Sequence, residues 1–403
     1  MARGPRERKG ALVEALIREL GLRAALLDET FDRQERPSLG SVYLGGGTPS
    51  LLAPDQVAAV LQAADRHLGL APDAEISLEA NPGPDELGDL GGFRAAGVTR
   101  LSIGAQSMDR VELRRLGRRH DEGDVERAVG AARKAGFRSV SLDLLTDIPG
   151  QSMASWRATL AAALDLAPDH LSVYTLSLDD PDAAGLTGPN GDHLPVSRGA
   201  RRWRSRARTE QSEARAAGME LLVDELAPAA GLVRYEIANL ARPGHGCRHN
   251  RLYWRRRAHL AIGPGAHAFD GSLRRSWNAA RLDGYLAALD AGRLPPGGEE
   301  QVDIPTAIAE AAILGLRLTE GIDAALALVP GLAIGLNWGR EHGLLEERLG
   351  RTRLTGPGRL LANEVFARLL PEAGAPRLLP DAGARDAGAR EAGAARAGSV
   401  ASR

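Results

Sequence analysis

The sequence predicts an α/β fold: a partial (β/α)6 barrel whose first strand is missing, followed by a small C-terminal helical domain of winged-helix type. Three observations predict it. A short β-prone run followed by a helical run recurs six times before residue 240, the pattern of a parallel sheet covered by helices. Five of those runs end in polar residues or bare backbone: Gly45 to Thr48, Glu79 with Asn81, Gln106, Asp143 and Tyr174. In a β/α barrel that edge carries the active site. The chain nevertheless opens on a helix, so the strand holding Val42, Tyr43 and Leu44 is expected at the end of the sheet with a bare side, which natural sheets avoid.

The elements follow in order. Residues 11–29 repeat apolar positions at helical spacing. Val42, Tyr43 and Leu44 then run into Gly45-Gly46-Gly47-Thr48-Pro49. Three glycines bare the backbone, Thr48 adds a hydroxyl, and Pro49 suits the first position of the helix predicted over 51–67. Such a turn either receives a carboxylate or phosphate on its amides or is a tight turn with no ligand. The next units pair strands at 75–78, 99–103, 139–142 and 170–174 with helices at 85–96, 111–116 with 123–135, and 152–166. A helix over 201–226 and a sixth strand at 233–237 complete the barrel, over residues 1–240. Residues 241–300 form an extension of short strands and tight loops. Residues 301–371 read as helix, helix, two-stranded wing and helix. Residues 372–403 are Ala-Gly-Arg-rich and are expected to be disordered.

Composition narrows the function. In 403 residues, 43% are apolar and 26% charged, as in a globular protein, and the net charge of −1 gives no reason to expect a nucleic-acid partner. No apolar run of the roughly 18 residues needed to span a bilayer occurs, and no signal peptide is present, so a cytoplasmic location is expected, with peripheral membrane contact left open. Cys247 is the one cysteine, which rules out an internal disulfide and any metal site needing two thiolates from this chain.

The motifs Gly45-Gly-Gly-Thr-Pro-Ser50, Glu79-Ala-Asn-Pro-Gly83, Ser102-Ile-Gly-Ala-Gln-Ser107, Leu116-Gly-Arg-Arg-His120, Ile148-Pro-Gly-Gln151, Arg234-Tyr-Glu-Ile237 and Gly263-Pro-Gly-Ala-His267, in this order, resemble the oxygen-independent coproporphyrinogen III oxidase-like family of radical S-adenosylmethionine (SAM) proteins. The run His249-Asn-Arg-Leu-Tyr253-Trp254 is similar to the H-N-x-x-Y-W pattern of its heme-chaperone branch. The resemblance spans about residues 11–371 and implies a partial barrel binding SAM across the strand ends. It implies that Gly46, Gly47 and Thr48 meet the methionine end of SAM, and that Glu79, Gln106, Arg118 and Asp143 hold its amino, carboxylate and ribose groups. A zwitterion bearing a ribose does call for a carboxylate, a guanidinium, an amide and open backbone. Arg118 lies beside Arg114, Arg115 and Arg119, and only the resemblance raises it above a solvated helix-end charge. Thr146-Asp147 stand where the family more often has an aromatic residue and a glycine, which is expected to alter the loop at the mouth of the site.

The family also implies a 4Fe-4S cluster on three cysteines spaced C-x3-C-x2-C just after its first strand. This chain has none of the three; the strand and the thiols are expected to lie upstream of Met1, with loss of the chemistry as the competing explanation. His245, Cys247 and His249 fall at every second position, so an extended segment would point them one way. Three readings stand beside one another there: a zinc site one ligand short, a turn with capping histidines, and heme. The resemblance implies heme, with His249 as axial ligand to the heme iron, Tyr253 and Trp254 against the porphyrin, and His267 as a lesser candidate. The function implied is a heme chaperone that binds heme and SAM and delivers heme to recipient proteins. The alternatives are oxidative decarboxylation of coproporphyrinogen III in porphyrin biosynthesis, and an inactive barrel serving protein contacts.

Overall fold

The computed structural model describes residues 6–31, 36–187 and 193–371; the segment expected to be disordered, 372–403, lies outside them. A seven-stranded sheet organises the chain. Its strands are β1 (Leu39–Leu44), β2 (Leu70–Ala80), β3 (Arg100–Gln106), β4 (Ser139–Thr146), β5 (His170–Thr175), β6 (Val233–Arg234) and β7 (Asn239–Ala241), in the order β1-β2-β3-β4-β5-β7-β6. β1 to β5 are parallel neighbours, and β1 is the terminal strand.

The sixth unit departs from expectation. β6 has two residues, sits outermost, and is joined through β7, which runs antiparallel to both β5 and β6. The Glu236 carboxylate explains the turn: it accepts from Ala238 N and the Asn239 side chain, which closes a hairpin where a longer strand was expected. Five strands, therefore, carry the parallel part.

Strand alternation builds two layers. Leu78, Leu101, Ile103, Leu142, Leu144 and Leu171 face the helices and pack on Val57, Phe93, Val129, Trp156 and Met219. The opposite face carries polar side chains. Helix starts are set by side chains that accept from free backbone amides: Asp89, Asp109, Asp121, Ser152 and Ser212. Two helices run over Arg198–Arg208 and Glu213–Leu226 where one was expected. The break follows from Asp147: its carboxylate takes Ser212 N (3.1 Å) and pairs with Arg215, pinning the second helix start to the loop after β4. Asp147 itself has φ +56°, a left-handed conformation that glycine adopts more readily, and its ion pair holds it there.

The first helix, Arg6–Thr30, packs on Pro54–Leu68 through Val13, Leu20, Val60 and Ala64, and on Leu282–Asp290 through Ala15, Tyr285 and Leu289. The extension is a three-stranded antiparallel sheet of His267–Phe269, Arg274–Asn278 and Gly297–Gln301. Beyond it, helices Ile304–Arg317 and Ala333–Glu341 cover a wing in which Ile322–Asp323 adds a third strand to the expected hairpin. The final helix is split at Leu361 into Gly356–Leu360 and Ala362–Ala367. Glu220 and Asp224 of the barrel pair with both Arg234 and Arg359, joining the two units. Among the described residues no helix is long and apolar enough to cross a membrane.

Candidate functional site

The turn after β1 is tied to the end of β2 by one carboxylate. Glu79 Oε2 accepts from Gly46 N at 3.1 Å and Oε1 from the Tyr43 hydroxyl at 3.0 Å. Gly46 has φ +75°, and a Cβ on Gly45 would stand 2.7 Å from the Tyr43 ring. Both positions therefore need glycine, one for conformation and one for space. Asn81 extends the chain of contacts. Its Nδ2 donates to Thr48 Oγ1 (3.2 Å) and Glu86 (2.9 Å), and its Oδ1 accepts from Arg118 Nη1 at 3.1 Å. Arg118 is half-buried, whereas Arg114, Arg115 and Arg119 are exposed, so tertiary structure separates it from its neighbours.

Gln106 closes β3 at φ +66°, just past an irregularity in the pairing with β4. A Cβ on Gly104 would lie 2.9 Å from Gln106 Nε2 and 3.3 Å from Asn81 Oδ1, so the bare Gly104 backbone lets both amide side chains close over β3. Asp143 lies deeper. The Ser102 hydroxyl reaches both its oxygens at 3.0 Å, and Ser141 stands 3.4 Å away. Burial pushes its carboxyl above the usual range, and hydrogen bonds from Ser172 and Ser102 pull the other way. Glu79 and Asp143 line one small polar cavity with Tyr43, Arg100, His170 and Tyr174; Gln106 and Arg118 stand outside that lining. The residues expected at SAM are thus arranged as a rim (Gly46, Gly47, Thr48, Glu79, Gln106, Arg118) with Asp143 beneath it.

The layer below is built from residues the motif reading passed over. Arg100 Nη1 donates to Ser139 Oγ (2.9 Å) and to the His245 carbonyl (2.8 Å). His170 bonds Ser141 through Nδ1 and the Tyr235 hydroxyl through Nε2, and burial holds it well below the usual imidazole range, hence neutral. The signal for them was present: Arg100 and Ser102, Ser139, Ser141 and Asp143, and His170 and Ser172 alternate with apolar residues in strands whose other face is core.

The second constellation is helical. Cys247 caps the helix Arg248–Trp254, so His245, Cys247 and His249 do not project together from an extended segment, and the zinc reading loses its geometry. Among the described residues no three His, Cys, Asp or Glu side chains are grouped to hold a metal ion. Cys247 is 2% exposed, its thiol 3.4 Å from Glu75 Oε1, and burial pushes it up to about 12. Glu75 also accepts from the amides of Arg248 and His249, seating the helix on β2. His249 is held from three sides: Nδ1 on Ser41 Oγ (2.9 Å), Nε2 on the Tyr253 hydroxyl (3.0 Å), and its ring stacked on Tyr43 at 5.2 Å. Burial lowers its pKa to about 4. Trp254 is not beside Tyr253 on an open face; it is buried against Leu314 and Leu318 with Arg317 over its ring at 4.2 Å. His267 stacks on Trp277, away from this helix.

Comparison with known proteins agrees with this arrangement. The Radical SAM superfamily model matches residues 19–163. The heme chaperone HemW of Mycobacterium tuberculosis is 36% identical over 363 residues, covering 88% of this chain and 85% of that protein. HemW of Bacillus subtilis is 30% identical, covering 85% and 88%. The solved structure of coproporphyrinogen III oxidase (HemN) from Escherichia coli, described as a radical SAM enzyme, superposes with a TM-score of 0.71 at 22% identity over 91% of this chain and 84% of that one, a likeness of fold. With 30–36% identity to HemW across most of both chains, this chain belongs to the heme chaperone HemW family.

Proposed function

We propose that the protein is a heme chaperone that binds SAM at the strand-end rim, takes up heme beside the helix Arg248–Trp254, and passes it to recipient proteins in the cytoplasm. The observation that carries the reading is the HemW likeness over 88% of the chain. The rim supports the SAM part chemically. Glu79 and the Gly46 amide suit an ammonium and a carboxylate, Arg118 a carboxylate, and Asp143, half-buried under Ser102, a pair of ribose hydroxyls.

A 4Fe-4S cluster supplies the electron for SAM cleavage in radical SAM chemistry, and the residues present do not fit it. The one thiol is buried as a helix cap and kept protonated. What the chain's own residues do is hold SAM and heme. The reading is tested by titrating ferric hemin into the purified full chain, following the Soret band, and then adding an apo heme protein. Stoichiometric uptake followed by transfer is expected; absence of saturable uptake overturns the reading.

A further inference from the structure

Resting on the SAM reading above, we infer that His249 is a positioning residue for the SAM rim: its ring seats Tyr43 against Glu79 and the glycine turn, so SAM affinity depends on the helix that carries the H-N-x-x-Y-W run. Both ring nitrogens are already engaged. Nδ1 lies 2.9 Å from Ser41 Oγ and Nε2 3.0 Å from the Tyr253 hydroxyl. A neutral imidazole donates through one nitrogen and accepts through the other, and a hydroxyl can answer either way, so both tautomers are satisfied. Iron at either nitrogen would first displace a hydroxyl. What the ring offers is its face, stacked on Tyr43 with centroids 5.2 Å apart and planes 26° apart. Ser41 and Tyr43 stand two residues apart in β1 and so project from the same side of it. His249 thus grips the terminal strand twice, by a hydrogen bond and by a stack. Its own footing lies on the next strand. Glu75 of β2, the register partner of Ser41, accepts from the amides of Arg248 and His249 at 3.0 Å each, so the helix start bridges β1 and β2.

Tyr43 carries this constraint to the rim. Its hydroxyl donates to Glu79 Oε1 at 3.0 Å, and Glu79 Oε2 takes the Gly46 amide at 3.1 Å. Burial, then the charges of Glu79 and Asp143, push the phenol well above its usual range, so the hydroxyl keeps the proton it donates. A Cβ on Gly45 would stand 2.7 Å from the Tyr43 ring and 3.0 Å from Glu79 Oε1, so turn, ring and carboxylate are closely packed. Removing the imidazole leaves space into which the Tyr43 ring can tilt. That tilt takes the hydroxyl off Glu79 and frees the carboxylate to turn away from the place where it meets an ammonium. The H-N-x-x-Y-W histidine then acts on SAM through Tyr43, without touching it.

The test titrates SAM into the full chain by calorimetry, with no heme present, for wild type, Tyr43→Phe, His249→Ala, His249→Asn, His249→Phe and the double variant Tyr43→Phe/His249→Ala. Loss of the ring should weaken SAM about two- to tenfold, the range a stacked pair allows, both in His249→Ala and in His249→Asn, which keeps a partner for Ser41. His249→Phe keeps the ring and loses both hydrogen bonds; it should bind within about twofold of wild type. Tyr43→Phe should lose about tenfold, as removal of a hydrogen bond to a charged group does. In that background His249→Ala should add less than about twofold, because the two side chains act in series. Arg255→Ala, just past the end of the same helix and paired with Glu320 at the surface, should bind SAM as wild type does. If His249→Ala does not fold, His249→Asn decides. Wild-type affinity in either of these, no recovery in His249→Phe, or additive losses in the double variant overturns the assignment alone. A wild-type chain that binds no SAM, or an Asp143→Ala variant that binds it undiminished, overturns the SAM reading and this role together.

Discussion

Glu19 is the place where one atom's change should loosen the packing of the first helix on the extension. It is fully buried in the first helix and accepts four hydrogen bonds. Oε1 takes Arg23 Nε (2.7 Å) and Asn278 Nδ2 (2.8 Å); Oε2 takes Gly263 N (2.8 Å) and the Tyr285 hydroxyl (2.7 Å). Glu19→Gln keeps the shape and replaces one oxygen by an amide. If the amide faces Gly263 and Tyr285, the tyrosine hydroxyl can rotate to accept, but the Gly263 N–H cannot. One bond to a charged acceptor is lost and a buried donor is orphaned, and Arg23 loses its counter-charge, together about 3–5 kcal/mol. Facing the other way, Arg23 and Asn278 meet the same difficulty. Two ion pairs join the same helices at the surface, Arg8–Asp283 and Arg18–Asp290, both with well-exposed carboxylates. Removing either should change stability by under ~1 kcal/mol, which makes Arg18→Ala the control. Urea midpoints give the free energies, and hydrogen exchange over residues 6–30 shows whether the first helix detaches. If Glu19→Gln costs no more than Arg18→Ala, or if exchange in the first helix is unchanged, the reasoning fails.

Other expectations follow from the same geometry. Asp143→Ala and Arg118→Ala should each weaken SAM binding about tenfold or more in calorimetry, as loss of a hydrogen bond to a charged or paired group does, while Arg119→Ala leaves it unchanged; equal effects of the two arginines would remove Arg118 from the site. Cys247, with its thiol pushed up to about 12 and 2% exposed, should resist iodoacetamide at pH 8 in the folded protein and react once urea unfolds it; rapid labelling of the native chain would contradict its placement. His170 titrates well below, and His249 at about 4 against roughly 6.5 unfolded, so the unfolded chain binds protons that the native chain refuses. Stability contributed by these two rings is complete above pH 6.5 and declines as pH falls toward 4, by up to ~1.4 kcal/mol per unit for each; a urea midpoint equal at pH 7.5 and 5.5 would refute this.

The strand ends were legible in the sequence because a βα unit writes its site locally. A β-prone run, then Gly46, Glu79 or Gln106, then a helix cap, puts the polar residue at the sheet edge whatever the rest of the chain does; Asp143 was expected there too, but β4 runs on to Thr146 and pairs Asp143 with Ser172 inside the strand. The helix periodicities and the wing were legible for the same reason. The sixth strand was not, because Glu236 decides it by bonding Ala238 and Asn239, and a carboxylate in an apolar run reads equally well as strand or turn. Arg118 could not be separated from Arg114, Arg115 and Arg119 by position alone; contact with Asn81 separates it. The histidines show the limit most clearly. Every second position from His245 to His249 suggested one extended face, whereas Cys247 starts a helix and turns them apart. Whether an imidazole offers a lone pair depends on what meets each nitrogen, and those partners lie far off in sequence, as Ser41 does for His249, 208 residues away. Local order in the chain determines which elements form and which residues stand at their ends. Burial and hydrogen-bond partnership between distant elements decide which of those residues are occupied and which are left open to a ligand.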